Sequence, residues 1–162
     1  WFQGRMEAGA RALGNRSILA NPLDGKAKDI VNSRVKFREM WRPFCPSVII
    51  EDAKNYFDIK VPSEFMIIAA DAKEKVAELI PSVVHVDNTV RPQEVSKDIN
   101  PKYWELIYNF GKITKHPVIL NTSFNVKNEP VICSPREAIK CFLNTDIDYL
   151  CIGDFLVSKT KK

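Results

Sequence analysis

Few residues in this sequence can bind a transition metal. The chain has two histidines and four cysteines, and no two cysteines form a CxxC pair. Structural and catalytic metal sites need several such ligands at short spacing, so we expect no metal site. Cys45, Cys133, Cys141 and Cys151 each lie among apolar residues. This pattern predicts four buried, reduced thiols in a cytoplasmic protein.

Long apolar runs and a broad excess of charge are also lacking. A membrane-spanning helix needs about 20 predominantly apolar residues, and the sequence contains no such run. We therefore expect no membrane partner. The net charge is +4, and three of the positive charges lie in the final KTKK. The rest of the chain is nearly balanced, which argues against a general nucleic-acid-binding surface. The cations are instead clustered locally.

The length of 162 residues suits one globular domain, which we expect to span residues 1–162. The chain opens on WFQG without an initiator methionine, which predicts a piece of a longer protein. Seven short apolar runs predict strands: WFQG, FCPSVII, FMIIAA, VVHV, PVILN, DYLCIG and FLVSK. Their irregular alternation with helical segments predicts a mixed sheet with helices packed on it.

Three segments carry helical signals. In GKAKDIVNSRV, apolar residues recur at helical spacing. Residues 100–114 begin with a capping Asn100 and with Pro101 in the first turn. The sequence Ser134-Pro135-Arg136-Glu137 is a capping box that starts a helix running to about residue 143.

Two stretches combine arginine with turn-forming or apolar residues. GRMEAGARALGNRSI carries three arginines and three glycines but no Walker P-loop, so it suits either an anion-binding loop or a solvated surface turn. In VKFREMWRPF, an extended backbone would place Arg34, Lys36 and Arg38 on one face. A bound phosphate or surface salt bridges could offset that charge. Trp41 and Phe44 are predicted to pack into the core rather than to stack on a base.

Two polar loops are further candidates. NTSFN, residues 121–125, follows the strand PVIL, where ligands often bind in α/β sheets. Its amides and hydroxyl suit phosphate oxygens, although Asn and Ser also favour turns. HVDNTVRPQ, residues 85–93, holds His85, Asp87 and Arg91. A His near an Asp is usually a structural pair, and nothing marks an activated serine.

Taken together, the stretches resemble one family. GRMEAGARALGNRSIL, NSRVKFREMWRPFCPSV, HVDNTVRPQ and PVILNTSFNVKNEPV occur in this order, followed by YLCIGDFLVSK. They look like the C-terminal domain of the NodU/CmcH carbamoyltransferases, over nearly the whole chain. That domain is similar to the YrdC fold. The resemblance therefore implies an α/β (α+β) fold, a twisted mixed β-sheet with packed helices.

The resemblance also implies a two-step reaction. Carbamoyl phosphate and ATP would give carbamoyl adenylate and diphosphate in this YrdC-like domain. An upstream Kae1-like domain, which holds iron, would then pass the carbamoyl group to a hydroxyl acceptor. We expect this chain to be the activating, nucleotide-binding half, with the upstream domain as its partner. Mg²⁺ is expected to accompany ATP, held mainly by phosphates and water.

Nine residues match functional positions in the family. Those carried over as catalytic are Lys36, Arg42 and Ser123. Those carried over as substrate- or nucleotide-binding are Arg11, Arg16, Arg38, Arg91, Asn121 and Asn125. Such a site suits the chemistry, because two polyanions must be brought together and arginine grips phosphate with two donors. We expect Lys36, Arg42, Arg91, Asn121 and Ser123 to line one pocket, with Arg11 at its rim.

Three positions depart from the family pattern. Ala10 stands where proline usually precedes Arg11, and Asn88 and Asn128 stand where glycine is usual. Asparagine tolerates positive φ better than other non-glycine residues, so we expect both turns to survive.

Two alternative functions remain open from the residues alone. A YrdC-like module could bind RNA or a nucleotide without turnover. The chain could also be a structural domain that completes an upstream acceptor site. The sequence identifies neither the acceptor nor the oligomeric state.

Overall fold

The computed structural model describes residues 1–159, and a four-stranded mixed sheet lies at its centre. Within those residues the strands are β1 Ser17–Ala20, β2 Cys45–Ile49, β3 Ala70–Asp71, β4 Thr89–Val90, β5 Gln93–Val95, β6 Val118–Ser123, β7 Tyr149–Ile152 and β8 Phe155–Ser158. The helices are α1 Ala27–Ile30, which continues as a π-helix over Val31–Lys36, α2 Ala53–Tyr56, α3 Val76–Leu79, α4 Pro101–Thr114 and α5 Pro135–Leu143. The predicted mixed sheet with packed helices is confirmed.

The strand order in the central sheet is β1-β6-β2-β5. Strand β6 runs antiparallel to both β1 and β2, and β2 runs parallel to β5. The last residues of β6 therefore lie beside the first residues of β1 and β2. Two further pairs, β3–β4 and β7–β8, form separate antiparallel ribbons.

The sheet has a hydrophobic core on each face. Because side chains alternate along a strand, Ile119 of β6 packs with Tyr103 and Ile107 of α4, whereas its neighbours Val118 and Leu120 join the larger core. That larger core is formed by buried aliphatic and aromatic side chains from the π-helix, α2, α3, α5, β7 and the connecting loops. Helix α4 therefore covers one face of the sheet. None of the helices in the described part of the chain is both long and apolar enough to cross a membrane.

The two long helices begin as the sequence predicts. The Asn100 side chain accepts a hydrogen bond from the Tyr103 N–H, at 3.2 Å. At α5, Ser134 accepts from the Glu137 N–H at 3.3 Å, and the Glu137 carboxylate accepts from the Ser134 N–H at 2.8 Å. These bonds satisfy amides that have no partner inside a helix.

Several strand predictions are wrong. Residues 34–38 are not extended: the buried pair Val31 and Val35 continues the helical spacing of α1, and Lys36 ends the π-helix. VVHV forms turns: Val83 is buried, Val86 is fully exposed, and the Asn88 N–H closes a turn onto the His85 carbonyl at 3.0 Å. FMIIAA contributes only the first strand residue of β3, and WFQG contributes isolated bridges. Asn121–Ser123 belong to β6 rather than to a loop.

The cysteine prediction is only partly correct. All four thiols are free; Cys45 and Cys141 are buried, and Cys151 is partly buried. Cys133 is exposed, because it lies just outside the first turn of α5, where Glu137 binds its N–H.

Both asparagines at usual glycine positions adopt a left-handed conformation. Asn88 has φ 65° and Asn128 has φ 64°. The expectation that these turns survive without glycine is confirmed. In one of them, the Asn88 amide also donates to the Ala72 carbonyl at 2.9 Å.

Gly14 is required where the N-terminal loop meets α4. Its φ is +108°, and an added Cβ would lie 2.2 Å from Cδ1 of Tyr103. Gly14→Ala combines an unfavourable backbone conformation with overpacking of a buried ring. We expect the free energy of unfolding to fall by about 3 kcal/mol, measured by urea denaturation.

Gly25→Ala is the matched control for this substitution. The nearest atom to its added Cβ is Cγ of Pro81, at 3.7 Å, which is an ordinary contact. Its stability should stay within about 1 kcal/mol of the natural protein. Equal stability losses in the two variants would contradict the assigned packing at Gly14.

Candidate functional site

Four chain segments meet at one end of the central sheet. They are residues 10–12 ahead of β1, residues 38–45 leading into β2, Arg91 just before β5, and residues 121–123 at the end of β6. Together with Met66, they enclose a cavity of about 390 Å³. The antiparallel register brings them together, since Ser123 pairs with Ser17 and Asn121 pairs with Cys45.

The cavity wall carries an excess of positive charge. Arg11, Arg38, Arg42 and Arg91 all line it, and no lining residue is acidic. Within residues 1–159, only Arg42 of these four forms an ion pair, with Glu39 at 3.2 Å. Both side chains of that pair are about half exposed, and such a solvent-accessible pair contributes little stability. The arrangement suits a ligand with several negative charges.

The floor of the cavity, which we define by Cys45 and Asn121 on neighbouring strands, adds no negative charge. Burial raises the pKa of the Cys45 thiol, and the guanidinium groups of Arg91, Arg11 and Arg38 oppose that rise. The net shift is upward, so the thiol is protonated at neutral pH.

Asn32 fixes the loop that carries two of these arginines. Its Oδ1 accepts from Nε of Arg38 at 2.8 Å, and its Nδ2 donates to the Arg42 carbonyl at 3.1 Å and to the Met40 carbonyl at 3.4 Å. Asn32 is completely buried in the π-helix. Sequence reasoning missed it, because its only signal is a polar residue beside buried Val31.

Glu7 closes the loop that carries Arg11. Its Oε1 accepts from the N–H groups of Leu13 and Asn15, both at 2.7 Å, and from that of Arg16 at 3.4 Å. The Glu7 carboxylate therefore binds backbone N–H groups that follow Arg11 in the chain, and it forms no ion pair with Arg11 among the described residues. Sequence reasoning also missed this residue.

Asn121 joins the cavity floor to the sheet. Its Nδ2 lies 3.1 Å from Oγ of Ser47, 3.2 Å from Oε1 of Gln93 and 3.2 Å from the Ala12 carbonyl. Gln93 also donates to the Leu13 carbonyl at 2.9 Å. This buried network anchors the segment beside Arg11. Ser47 carried no signal beyond being a polar residue in a predicted strand, and Gln93 was only the last residue of the polar stretch HVDNTVRPQ, with no role assigned to it.

Lys36 lies behind the cavity wall rather than in it. Its Nζ donates to the Ser123 carbonyl at 2.5 Å and to the Asn125 carbonyl and Oδ1, at 3.0 and 2.5 Å. Oγ of Ser123 lies 3.3 Å away. The structure thus brings Lys36, Ser123 and Asn125 into one cluster, and only Ser123 of the three lines the cavity.

Arg16 lies outside the cavity. Its guanidinium donates to the carbonyls of Gln3, Asn15 and Gly4, at 2.7, 3.0 and 3.1 Å, and stacks 3.5 Å from the centre of the Phe2 ring. Backbone carbonyls and an aromatic face therefore hold this arginine in the interior.

His85 and Asp87 form a local turn cluster. Oγ1 of Thr89 lies 3.2 Å from Nδ1 of His85 and donates to Asp87 at 2.7 Å. Neither His85 nor Asp87 lines the cavity, and only Arg91 of this segment reaches it.

The two aromatics of WRPF have different environments. Phe44 is buried as predicted, with the Arg38 guanidinium 4.8 Å from its ring centre. The prediction that Trp41 packs into the core is wrong, because 73% of it is exposed at the cavity wall. Buried Asn32 binds the carbonyls on both sides of Trp41 and fixes the backbone of a turn whose Trp41 side chain points outward.

The cavity suits an anion better than a metal ion. Its polar donors are guanidinium, amide and hydroxyl groups, whereas metal ions need carboxylate, imidazole or thiolate ligands. In the part of the chain that the structure describes, no three His, Cys, Asp or Glu side chains are grouped as a metal site.

The sequence is similar to those of known proteins over most of its length. The family model described as carbamoyltransferase C-terminus matches residues 1–159. Nodulation protein NolNO of Sinorhizobium fredii is 47% identical over 98% of this chain, and nodulation protein NolO of Bradyrhizobium diazoefficiens is 46% identical over 98%. Nodulation protein U of Rhizobium tropici is 37% identical over 78%. The chain spans only 24%, 30% and 22% of these relatives.

The environment of Lys36 predicts a pH dependence of stability. Burial, followed by repulsion from Arg38, lowers the pKa of Lys36 to about 7, whereas an unfolded lysine titrates near 10.4. Between these values, the unfolded chain binds a proton that the folded protein does not. The free energy of unfolding should therefore rise with pH from about 7 to 10, by up to about 1.4 kcal/mol per pH unit.

Urea denaturation of the natural protein and Lys36→Met at pH 7, 8 and 9 measures this contribution. The natural protein should gain stability relative to Lys36→Met as the pH rises. Lys54→Met, at an exposed lysine, is the control and should show no such trend. A difference between the natural protein and Lys36→Met that is constant with pH would mean that the four surrounding oxygens keep Lys36 protonated.

Proposed function

The chain belongs to the family of carbamoyltransferase C-terminal domains, and on that premise we propose that its arginine-lined cavity binds ATP and carbamoyl phosphate and forms carbamoyl adenylate. The observation that carries the proposal is the cluster of Arg11, Arg38, Arg42 and Arg91 without a lining carboxylate. Both substrates are polyanions, so their approach needs several cations around a small volume.

The formation of carbamoyl adenylate proceeds in two chemical steps, before any transfer to an acceptor. Water first cleaves carbamoyl phosphate to carbamate and inorganic phosphate. A carbamate oxygen then attacks the α-phosphorus of ATP, a new P–O bond forms, and the bond to the β-phosphate breaks to release diphosphate. The nucleophile is already an anion, so this step requires no carboxylate base. Preorganised arginines lower the barrier by stabilising charge on the transferring phosphoryl group.

Each neutral site residue has a place in this proposal. Asn121 and Ser123 at the end of β6 offer amide and hydroxyl groups to substrate oxygens. Lys36 positions Ser123 and Asn125 from behind, through the bonds to their oxygens. Mg²⁺ accompanies ATP and is held by phosphates and water, because the cavity lining has no carboxylate.

Transfer to a hydroxyl acceptor belongs to the rest of the full-length protein. The relatives are more than three times as long as the part that this chain matches. We propose that an upstream domain binds the acceptor and the iron. This chain alone should release diphosphate and leave hydroxyl acceptors unmodified. A nucleotide-binding module without turnover would bind ATP but release no diphosphate.

Diphosphate release from Mg-ATP and carbamoyl phosphate tests the proposal directly. Arg42→Lys keeps the charge but loses the two-pronged grip on phosphate. We expect the rate of diphosphate release to fall about tenfold, which corresponds to one charge-assisted hydrogen bond of roughly 1.5–3 kcal/mol.

Arg136→Lys is the matched control, because Arg136 is exposed on α5 and does not line the cavity. Its rate should equal that of the natural protein. If carbamoyl phosphate fails to raise diphosphate release above that seen with ATP alone, the proposed activity is wrong. If Arg42→Lys keeps the full rate, Arg42 does not contact a phosphate during the reaction.

A further inference from the structure

Trp41 is a large aromatic side chain at the wall of the arginine-lined cavity. It is 73% exposed. A single exposed aromatic side chain is common at protein surfaces; the informative feature of Trp41 is its place beside the arginines of the cavity. Its indole ring also lies beside a phosphate-binding candidate, with the Arg42 guanidinium 5.9 Å from the ring centre.

The turn that carries Trp41 is held in place from below. Nδ2 of Asn32 donates to the carbonyls of Met40 and Arg42, the residues on either side of Trp41. The Arg42 N–H also donates to the Glu39 carbonyl, at 3.2 Å, which closes the turn. The ring is therefore presented by fixed backbone, so little backbone order remains to be gained when a ligand binds.

We propose that Trp41 is the platform on which the base of the nucleotide stacks. The inference rests on the proposed function, because it assigns one end of the same ligand. A nucleotide has a polyanionic end and a flat aromatic end. The cavity wall offers four guanidinium groups and, on the same loop as two of them, one exposed indole.

Stacking of this kind has a definite consequence for specificity. Every base has an aromatic face, so stacking adds affinity without identifying the base. Trp41 therefore separates nucleotides from phosphate chains that carry no base. The Trp41 contact should not by itself distinguish adenine from guanine.

Titration calorimetry with two probes tests the assignment. The probes are Mg-ATP and magnesium tripolyphosphate, which has the phosphates of ATP but no base. Trp41→Ala should weaken ATP binding about tenfold, within the range of base–aromatic stacking, and should change tripolyphosphate binding less than twofold. Trp41→Phe should retain most of the ATP affinity. Because Trp41 is exposed, the melting temperature of both variants should match that of the natural protein.

Phe155→Ala provides a matched control at an exposed aromatic residue. Phe155 is 75% exposed in β8 and does not line the cavity, so its loss should leave both affinities unchanged. Fluorescence provides a second readout, since the chain has three tryptophans. ATP should quench the natural protein more than Trp41→Phe, and tripolyphosphate should not.

Two results overturn the assignment while leaving the proposed function in place. One is an unchanged ATP affinity in Trp41→Ala, which would mean that the base does not stack on Trp41. The other is an equal loss of affinity for ATP and tripolyphosphate, which would mean that the substitution disturbs the phosphate site. If the natural protein binds neither probe, both the assignment and the proposed function fail.

Discussion

Repulsion among like charges is the constraint on which this structure depends. Four guanidinium groups face one cavity of about 390 Å³, and none of the lining residues is acidic. A carboxylate beside each arginine would remove the repulsion but would also cancel the field that attracts an anion. The scaffold instead positions Arg38 with a neutral group, the amide oxygen of Asn32. Among the described residues, only Arg42 of the four arginines has a carboxylate partner, the half-exposed Glu39. The positive field of the other three arginines is thus left available to an anionic ligand.

This arrangement depends on contacts that no local sequence pattern encodes. The helix starts at Asn100 and Ser134 were predictable, since a capping residue, a proline and the following spacing lie within a few residues. Strands β2, β6, β7 and β8 were also predictable from apolar, β-branched runs. The place of β6 between β1 and β2 was not, because it depends on the pairing of residues 70 to 106 positions apart. The cavity is a consequence of that pairing.

The site residues divide in the same way. The sequence identified the arginines and the polar residues 121–125 as candidate ligand-binding groups. The resemblance to a family then assigned them to one site. The sequence did not identify Asn32, Glu7 or Gln93 as site residues. Each stabilises a loop through hydrogen bonds to backbone groups, and those partners are known only from the three-dimensional structure. Trp41 shows the same limit from the other side. An aromatic residue in an apolar stretch is usually buried, and only the backbone turn fixed by Asn32 places its ring outside.

The three residues Lys36, Phe37 and Arg38 show how conformation decides the use of charge. In a strand, the two cations would share one face. Here Lys36 ends a π-helix, and Phe37 has φ 50°, a left-handed conformation that is unfavourable for a bulky residue. The chain therefore turns between the cations. Lys36 enters the interior to bind Ser123 and Asn125, while Arg38 reaches the cavity. The left-handed conformation of Phe37 costs about 1–2 kcal/mol. The resulting turn directs Lys36 into the interior and Arg38 towards the cavity.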